Sequence, residues 1–268
     1  MANAAEFLEL HRPGAPLLMP NAWDIGSAKV LEQLGFQALA TTSSGFAASL
    51  GRLDGSVTRD EALDHGASVV QATGVPVSAD LENCFAHDPA GVAETIRLAR
   101  AAGLAGGSVE DFSGDEADPI YEFELAVERV KAAAEAAGRQ AFVLTARAEN
   151  HLHGRDDLED TVRRLVAYQE AGADAVFAPG VRDAQSIRRL VEAVEIPVSV
   201  LAPGSPPVAE LAGLGVSRIS VGGSFAFAAM GALVEAAQEL RDQGTYGFLE
   251  RSRQGFRTAR DAFADGAQ

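Results

Sequence analysis

One pattern recurs along the chain: an amphipathic segment with helical spacing ends at a glycine, and a short apolar run follows directly. Glycine suits the left-handed residue that closes a helix, and an apolar run suits a strand buried on both faces of a parallel sheet. Further apolar runs precede segments with helical spacing. Together these runs predict eight strands, which lie within residues 16–20, 32–42, 75–80, 99–111, 141–147, 168–180, 196–201 and 211–223.

Segments with helical spacing alternate with these strands. They cover residues 24–35, 58–72, 89–102, 119–137, 157–171, 183–194, 206–213 and 223–241. Strict alternation of strand and helix is typical of a (β/α)8 TIM barrel, and a doubly wound open sheet is the alternative. No linker rich in proline, glycine or serine divides the chain, so we expect one domain at 1–245 and a helical extension at 246–268.

The composition disfavours some classes of binding partner and of cellular location. The 268 residues are 47% hydrophobic and carry a net charge of −16, which disfavours nucleic acids and anionic membranes, since both attract basic proteins. No apolar stretch of about 18 residues predicts a membrane span, and the first residues do not predict a signal peptide. Cys84 is the single cysteine and cannot form an internal disulfide, so we expect a cytoplasmic protein.

Polar side chains gather where the predicted strands end, and a barrel of this type carries its site there. In the stretch VPVSADLEN, residues 75–83, Ser78, Asp80 and Glu82 are spaced two apart and share one face of the strand. Glu110 ends the next strand. Carboxylates in one volume repel each other unless a cation neutralises them. Hard oxygen ligands favour Mg²⁺ or Mn²⁺ over zinc.

Two further features predict a small oxo- or hydroxy-acid as the substrate. Arg147, at the end of the fifth strand, could clamp a substrate carboxylate or pair with one of the acids. The run TTSSG at 41–45 offers hydroxyl and backbone N–H groups to a second anionic end. The alternatives are structural: Arg147 as an ion pair, TTSSG as a polar turn, and Asp24 and Asp111 as helix caps.

Several motifs, taken together, resemble the isocitrate lyase/phosphoenolpyruvate (PEP) mutase superfamily. They lie in order at residues 20–55, 75–83, 106–111, 144–150 and 198–223. The resemblance implies a (β/α)8 barrel whose eighth helix is exchanged between subunits of a homodimer or homotetramer. It also implies a Mg²⁺-dependent enzyme that acts on 2-oxo or 2-hydroxy carboxylates and breaks or forms C–C or P–C bonds through an enolate-like intermediate.

The resemblance extends to the metal site. Asp80 and Glu110 match acids of the family's metal shell, and Asp54 matches an acid that reaches the metal's waters. The family's usual direct ligand falls at Ser78, and Glu82, which faces the same way, could compensate. We therefore expect Asp54, Asp80, Glu82 and Glu110 to hold the metal.

The substrate site is implied in the same way. Arg147 matches the substrate-binding arginine of the family and, with Glu110, is expected to take part in catalysis. Trp23 lies in the NAWD segment common to this branch, and Ser199 stands where many members have a substrate-binding asparagine. The remaining expected substrate contacts are Thr42, Ser43, Ser44 and Gly45.

Three hypotheses about function follow. The first is a Mg²⁺-dependent C–C lyase or decarboxylase of a small 2-oxo or 2-hydroxy (di)carboxylic acid. The loop at 110–124 lacks the Cys, Lys and His of the family's isocitrate lyases, which disfavours their cysteine-assisted mechanism. The second is a P–C bond enzyme, such as a phosphonopyruvate mutase or hydrolase. The third is a non-catalytic protein that binds oxo-acids.

Overall fold

Parallel strands form a single, nearly closed barrel in the computed structural model, which describes residues 4–264. The strand order is β1-β9-β8-β7-β6-β5-β4-β3-β2. The strands are β1 (Leu17–Met19), β2 (Asn21–Ala22), β3 (Leu39–Thr41), β4 (Val77–Ala79), β5 (Gly106–Glu110), β6 (Val143–Arg147), β7 (Ala175–Phe177), β8 (Val198–Leu201) and β9 (Arg218–Ser220). The predicted (β/α)8 barrel is confirmed, and the open sheet is excluded.

The first predicted strand is interrupted at Pro20, which accounts for nine strand segments instead of eight. Leu17–Met19 pairs with β9, whereas Asn21–Ala22 pairs with β3. Proline has no N–H group to donate to a neighbouring strand, but its carbonyl accepts the N–H of Ala40 at 2.9 Å. The two ends of the sheet therefore belong to one stretch of chain, which closes the barrel.

Helices follow the strands and surround the barrel. They are α1 (Ala4–Glu9), α2 (Ile25–Gln33), α3 (Ser43–Ser49), α4 (Arg59–Ala72), α5 (Pro89–Ala101), α6 (Phe123–Ala137), α7 (Leu158–Glu170), α8 (Ala184–Ala193), α9 (Val208–Gly213), α10 (Ser224–Gln243) and α11 (Leu249–Phe263). A short 3-10 turn spans Asn150–Leu152. The sequence did not predict α1 or α3.

Side-chain caps explain where several helices begin. Asp24, Thr58, Asp88, Asp157 and Asp183 each precede a helix and accept a backbone N–H from its first turn, which satisfies a donor that the helix itself leaves unpaired. Asp24 therefore has the structural role that the sequence left open for it. These caps fix the points at which the loops above the strands end.

Helix α1 closes the amino-terminal end of the barrel. Its Phe7 is fully buried and packs with Leu17, Ala105 and Val143. A methyl group at Gly106 would lie 2.9 Å from the Phe7 ring and 2.6 Å from the Val143 carbonyl oxygen. Only glycine allows this close approach, so the barrel has a closed floor and opens at the carboxyl ends of its strands.

The two C-terminal helices are largely exposed. Among the 20 residues of α10 only Ala226 is buried, and α11 has no buried residue. Helix α10 packs against α3 and β2, and α11 packs against α2. The division of the chain at residue 245 stays a prediction, and residues 265–268 of the predicted extension lie outside the described part.

A search of the described helices for one long and apolar enough to cross a membrane finds none.

The closure by α1 predicts a large loss of stability on truncation of Phe7. Phe7→Ala should lower the free energy of unfolding by about 3–5 kcal/mol, because it leaves a cavity between α1 and the barrel floor. Urea unfolding followed by Trp23 fluorescence measures this. Leu34→Ala, at a side chain that is 63% exposed, is the control and should change the value by less than about 0.5 kcal/mol. Equal effects of the two substitutions would contradict the closure.

Candidate active site

A cavity of about 210 Å³ opens at the carboxyl ends of the strands. Its wall combines hydroxyl groups, two acids and two arginines with a few apolar side chains. The lining includes Asn21, Thr42, Ser43, Ser44, Asp54, Ser78, Asp80, Ser108, Arg147, Arg218, Ser220 and Gly223. Thr42, Ser43, Ser44, Asp54, Asp80 and Arg147 of the predicted site thus line one volume.

Arg147 is the centre of the charged cluster. Its Nη1 donates to Asp80 at 2.8 Å, its Nη2 lies 3.0 Å from Glu110, and its Nε donates to Glu149 at 2.8 Å. All four side chains are mostly buried. One guanidinium therefore neutralises part of the charge of three carboxylates. Sequence reasoning paired Arg147 with one acid at most.

Asp80 connects this cluster to helix α3. Its Oδ1 accepts from Arg147, and its Oδ2 accepts the backbone N–H of Ser43 at 3.1 Å. Its own N–H donates to Thr41 Oγ1 at 2.9 Å. The carboxylate thereby fixes the start of α3, and with it the hydroxyls of Ser43 and Ser44, relative to the guanidinium.

The charged cluster can hold a proton. Burial raises the pKa of Glu110 well above its usual value, Arg147 opposes that rise, and Glu149 and Asp80 add to it. Burial also raises the pKa of Glu149, against the effect of Arg147. Both glutamates therefore hold a proton more readily than a free carboxyl group does. Such a group can give or take a proton during a reaction.

Glu82 lies in a backbone segment of unusual conformation. Glu82, Cys84 and Phe85 have φ angles of 49°, 60° and 54°, a region that side-chain-bearing residues rarely adopt. The buried Arg129 holds this loop, because its guanidinium donates to the carbonyls of Asn83, Ala86 and His87. The arginine offsets the strain of the segment and fixes Glu82.

Burial, followed by the nearby charges of Asp80 and Asp54, raises the pKa of Glu82 to about 7. No salt bridge of Glu82 exists within residues 4–264. The corner of the site formed by Asp54, Asp80 and Glu82 therefore carries more negative charge than Arg147 neutralises.

The described part of the chain contains no ready group of three or more His, Cys, Asp or Glu side chains that could hold a metal ion. Asp80 and Glu110 meet on Arg147, so their proximity alone does not require a divalent ion, contrary to the argument from sequence. The oxygen donors and the excess negative charge around Glu82 nevertheless fit a hard divalent cation. Asp54, Asp80, Glu82 and Glu110 stay predicted ligands.

A second buried network fixes the loop that carries Glu149. The Asp111 carboxylate accepts from the Glu149 N–H at 2.8 Å, from the Tyr168 hydroxyl at 2.5 Å and from Arg164 Nη1 at 3.2 Å. Asp111 is fully enclosed, and Arg164 also donates to the Tyr121 carbonyl at 3.0 Å. Asp111 therefore has a structural role, and it determines the direction of Glu149 toward Arg147.

The TTSSG run begins helix α3 and is not a simple turn. Thr42 caps the helix and accepts from the Gly45 N–H at 3.4 Å. A methyl group at Gly45 would lie 2.6 Å from the Thr42 side chain and 3.2 Å from both Trp23 and Ala226. Gly45 is thus required for packing and does not line the cavity.

Trp23 lies outside the wall of this cavity. It lines a separate groove with Phe46 and His65, and its contact with the substrate stays a prediction.

Asn21 lines the cavity and was not among the predicted site residues. Its Oδ1 accepts the N–H groups of Val221 and Gly222 at 3.0 and 2.9 Å, and its Nδ2 donates to the Thr41 carbonyl at 2.7 Å. Its hydrogen bonds link the loop after β9 to the end of β3. Gly223, which follows in that loop, packs closely on Ser44: a methyl group at Gly223 would lie 2.5 Å from the Ser44 hydroxyl oxygen.

Two polar residues, Ser199 and Arg218, lie deeper in the barrel than Arg147. Ser199, a predicted substrate contact, is buried and its Oγ has no partner. Arg218 lines the cavity from β9, and sequence reasoning missed it. The available signal was a charged residue inside the apolar run VSRISV at 216–221, where a buried strand does not usually carry one.

Comparison with known proteins identifies chains that are related to this one. A family model described as phosphoenolpyruvate phosphomutase matches residues 7–241. The chain is 30% identical over 234 residues to an oxaloacetate decarboxylase of Chromohalobacter salexigens, covering 83% of this chain and 79% of that protein. It is 31% identical over 205 residues to a 2,3-dimethylmalate lyase of Eubacterium barkeri, covering 72% and 69%.

A solved structure is more similar still. A protein of Burkholderia cenocepacia J2315, described as a candidate lyase/mutase, superposes with a TM-score of 0.90 at 50% sequence identity, covering 95% of this chain and 94% of that one. The similarity extends over nearly the whole barrel.

The charge excess around Glu82 predicts a pH dependence of stability. Because its pKa is about 7 in the fold and 4.5 as a free side chain, the folded state binds more protons between these values, and stability falls as the pH rises through this window. Between pH 5 and 7.5, the unfolding free energy should fall by about 2 kcal/mol more in the unmodified chain than in Glu82→Gln.

Urea titrations with EDTA at each pH measure this difference. Glu124→Gln, at an exposed acid on α6, is the control and should follow the unmodified chain. Parallel curves for the unmodified chain and Glu82→Gln would contradict the assignment.

Proposed function

Because the chain belongs to the phosphoenolpyruvate phosphomutase family, within the isocitrate lyase/PEP mutase superfamily, we propose that it is a carbon–carbon lyase or decarboxylase. The substrate would be a small 2-oxo or 2-hydroxy carboxylic acid that reacts through an enolate-like intermediate. The observation that carries the proposal is Arg147, a fixed guanidinium on the cavity wall next to carboxyl groups that can hold a proton.

Arg147 is the group that would bind the oxo-acid end. A guanidinium has five N–H donors, and the three ion pairs of Arg147 use one on each nitrogen. Its remaining donors can therefore reach a carboxylate in the cavity. The ion pairs hold the guanidinium in place before the substrate arrives, which avoids reorganisation during the reaction.

The opposite wall would bind the distal part of the substrate. Thr42, Ser43 and Ser44 present hydroxyl groups to the cavity, and Thr42 Oγ1 and Ser44 Oγ lie 3.2 Å apart. The Asp80–Ser43 hydrogen bond ties this wall to Arg147. The two ends of a small acid would thus be held at a fixed separation.

Proton movement would involve Glu110 and Glu149. Both have raised pKa values and share the guanidinium of Arg147. A 2-oxo acid that loses carbon dioxide leaves its own enolate. A 2-hydroxy acid that is cleaved gives up its hydroxyl proton, releases a 2-oxo acid and leaves the enolate of the second carboxylic acid. Either enolate must take up a proton on carbon, and the carboxyl groups of this pair would accept the hydroxyl proton and supply the carbon with one, directly or through a water molecule.

We propose Mg²⁺ as the cofactor, with Mn²⁺ as the alternative. Asp54, Asp80, Glu82 and Glu110 would hold it, since their oxygen donors and unbalanced charge suit a hard cation. When bound, the ion supplies positive charge that stabilises a developing oxyanion.

The proposal predicts metal-dependent release of pyruvate or another 2-oxo acid. EDTA-treated protein is assayed with oxaloacetate, 2,3-dimethylmalate and 2-methylisocitrate, with and without added Mg²⁺. We expect turnover of at least one acid only with the metal. Arg147→Lys should lower kcat/KM by about 100-fold or more, because lysine cannot reproduce the paired geometry. Arg155→Lys, at an arginine that is paired with Asp118 on the surface, is the control and should retain activity.

The same preparation separates the alternative functions. Formation of inorganic phosphate or PEP from phosphonopyruvate, followed by ³¹P NMR, would favour P–C chemistry. The loop at 110–124 has no lysine, arginine or histidine to offer a phosphonate, which disfavours this alternative. A thermal shift with the acids but no turnover would favour a binding protein. A thermal shift with Mg²⁺ alone tests the metal site independently of activity.

We also propose that the chain forms a homo-oligomer by exchange of α10. This helix exposes Phe225, Phe227, Met230, Leu233 and Val234, a larger apolar surface than a monomer usually leaves in water. An apolar groove lies beside its first turn, lined in part by Trp23, Ile25, Phe46 and Leu50. In a twofold dimer, each α10 would fill the groove of the other subunit.

Light scattering coupled to gel filtration tests the assembly. We expect a mass of at least twice the 27.9 kDa of one chain. Leu233→Asp should release monomers, because it buries a charge in the contact, whereas Gln238→Asp on the same helix should not. A monomeric unmodified chain would contradict the proposal.

A further inference from the structure

Arg218 is a buried cation on the inner wall of the barrel. It is the first residue of β9, its side chain is 4% exposed, and it lines the same cavity as Arg147. In the strand register it lies beside Ser199 of β8 and Leu17 of β1. The cavity therefore has two cationic positions.

The two arginines lie at different depths. Arg218 Nη1 donates to Thr145 Oγ1 at 3.0 Å, and Thr145 precedes Arg147 by two residues on β6. Residues two apart share a face of the strand and are separated by about 7 Å along it. Arg218 therefore contacts the layer below Arg147, closer to the barrel floor.

This lower layer is lined by hydroxyl groups. On β4, β5 and β6 a hydroxyl residue precedes, by two positions, the charged residue at the strand end: Ser78 before Asp80, Ser108 before Glu110 and Thr145 before Arg147. Ser78 and Ser108 line the cavity, and Ser199 is buried beside Arg218. The inner layer thus offers hydrogen-bond donors and one cation.

Arg218 has no counter-ion. It forms no salt bridge within residues 4–264, its Nε has no hydrogen-bond partner, and neither has the Oγ of neighbouring Ser199. Arg147, in contrast, has three carboxylates. A buried charge without a partner is costly, by several kcal/mol, so this arrangement lacks an anion.

The groups around Arg218 do not supply that anion. Burial, and then the charge of Arg218, lower the pKa of His11 at the barrel floor to about 3, so its ring is neutral. Burial and the charge of Arg147 lower the pKa of Arg218 to about 9, which leaves it cationic at neutral pH. An anion bound in the cavity is therefore the partner that the surroundings of Arg218 allow.

We propose that Arg218, together with the hydroxyls of Thr145 and Ser199, forms an inner subsite that binds a carboxylate of the substrate. This rests on the proposed function and narrows it: the distal part of the substrate carries a second carboxylate, which Arg218 holds in the cavity that Thr42, Ser43 and Ser44 also line, while the oxo-acid end lies near Arg147. The carboxylate would give Arg218 a counter-ion and give Arg218 Nε and Ser199 Oγ hydrogen-bond partners.

Ligand binding tests the subsite without any turnover. Isothermal titration calorimetry on EDTA-treated protein compares malonate with propionate and succinate with butyrate, the monocarboxylates with the same number of carbon atoms. The unmodified chain should bind the dicarboxylates at least about tenfold more tightly. Arg218→Met should lose this preference, Arg218→Lys should keep part of it, and Ser199→Ala should weaken dicarboxylate binding about threefold or more. Arg155→Met, on the surface, should leave the preference unchanged.

Thermal melts of the same variants distinguish a binding role from a structural one. Removing an unpaired buried charge should leave the Tm of Arg218→Met equal or raised, whereas a structural role predicts a lower Tm and an unchanged preference. Retention of the preference in folded Arg218→Met, or its absence in the unmodified chain, would overturn the subsite. Loss of all turnover in the unmodified chain with an intact preference would instead overturn the proposed function alone.

Discussion

The guanidinium of Arg147 is the interaction on which the rest of the site depends. It holds Asp80, Glu110 and Glu149, which come from three separate strand ends. Through Asp80 it fixes the first turn of α3, and through Glu149 it is joined to the buried Asp111 network. Without a cation at this point, three mostly buried carboxylates would lose their partner, and the walls of the cavity would no longer be connected.

The negative charge around Arg147 exceeds the positive charge of its guanidinium. Three carboxylates share one guanidinium, and Glu82 adds a fourth acid whose pKa rises to about 7. Protons or a divalent cation can neutralise this excess negative charge. Both would suit a site that stabilises and then protonates an enolate. Deeper in the barrel the balance is reversed, because Arg218 forms no salt bridge with any acid of residues 4–264. The cavity therefore carries an acidic rim and a basic floor, which suits an elongated anion more than a compact one.

Most of the fold could be predicted from the order of apolar runs and glycines. The strands and the main helices follow that pattern because burial on both faces and helix closure are local requirements. The failures have local explanations too. Pro20 divides the first strand, since it cannot donate to the ladder. Helix α3 was not predicted, and a polar turn was the structural alternative for its first residues because they are hydroxylic, although Thr42 is a good cap.

The sequence by itself determined which side chains share a face. Spacing by two puts Ser78 with Asp80 and Thr145 with Arg147, because side chains alternate along a strand. Only the tertiary structure decided that Arg147 reaches Asp80, 67 residues away, and that Arg218 enters the layer below. Those contacts depend on the closure and register of the barrel, which arise from the packing of all strands around one interior and leave no signal in any short segment. The sequence therefore determined which charged residues are present, and closure of the barrel determined which of them pair.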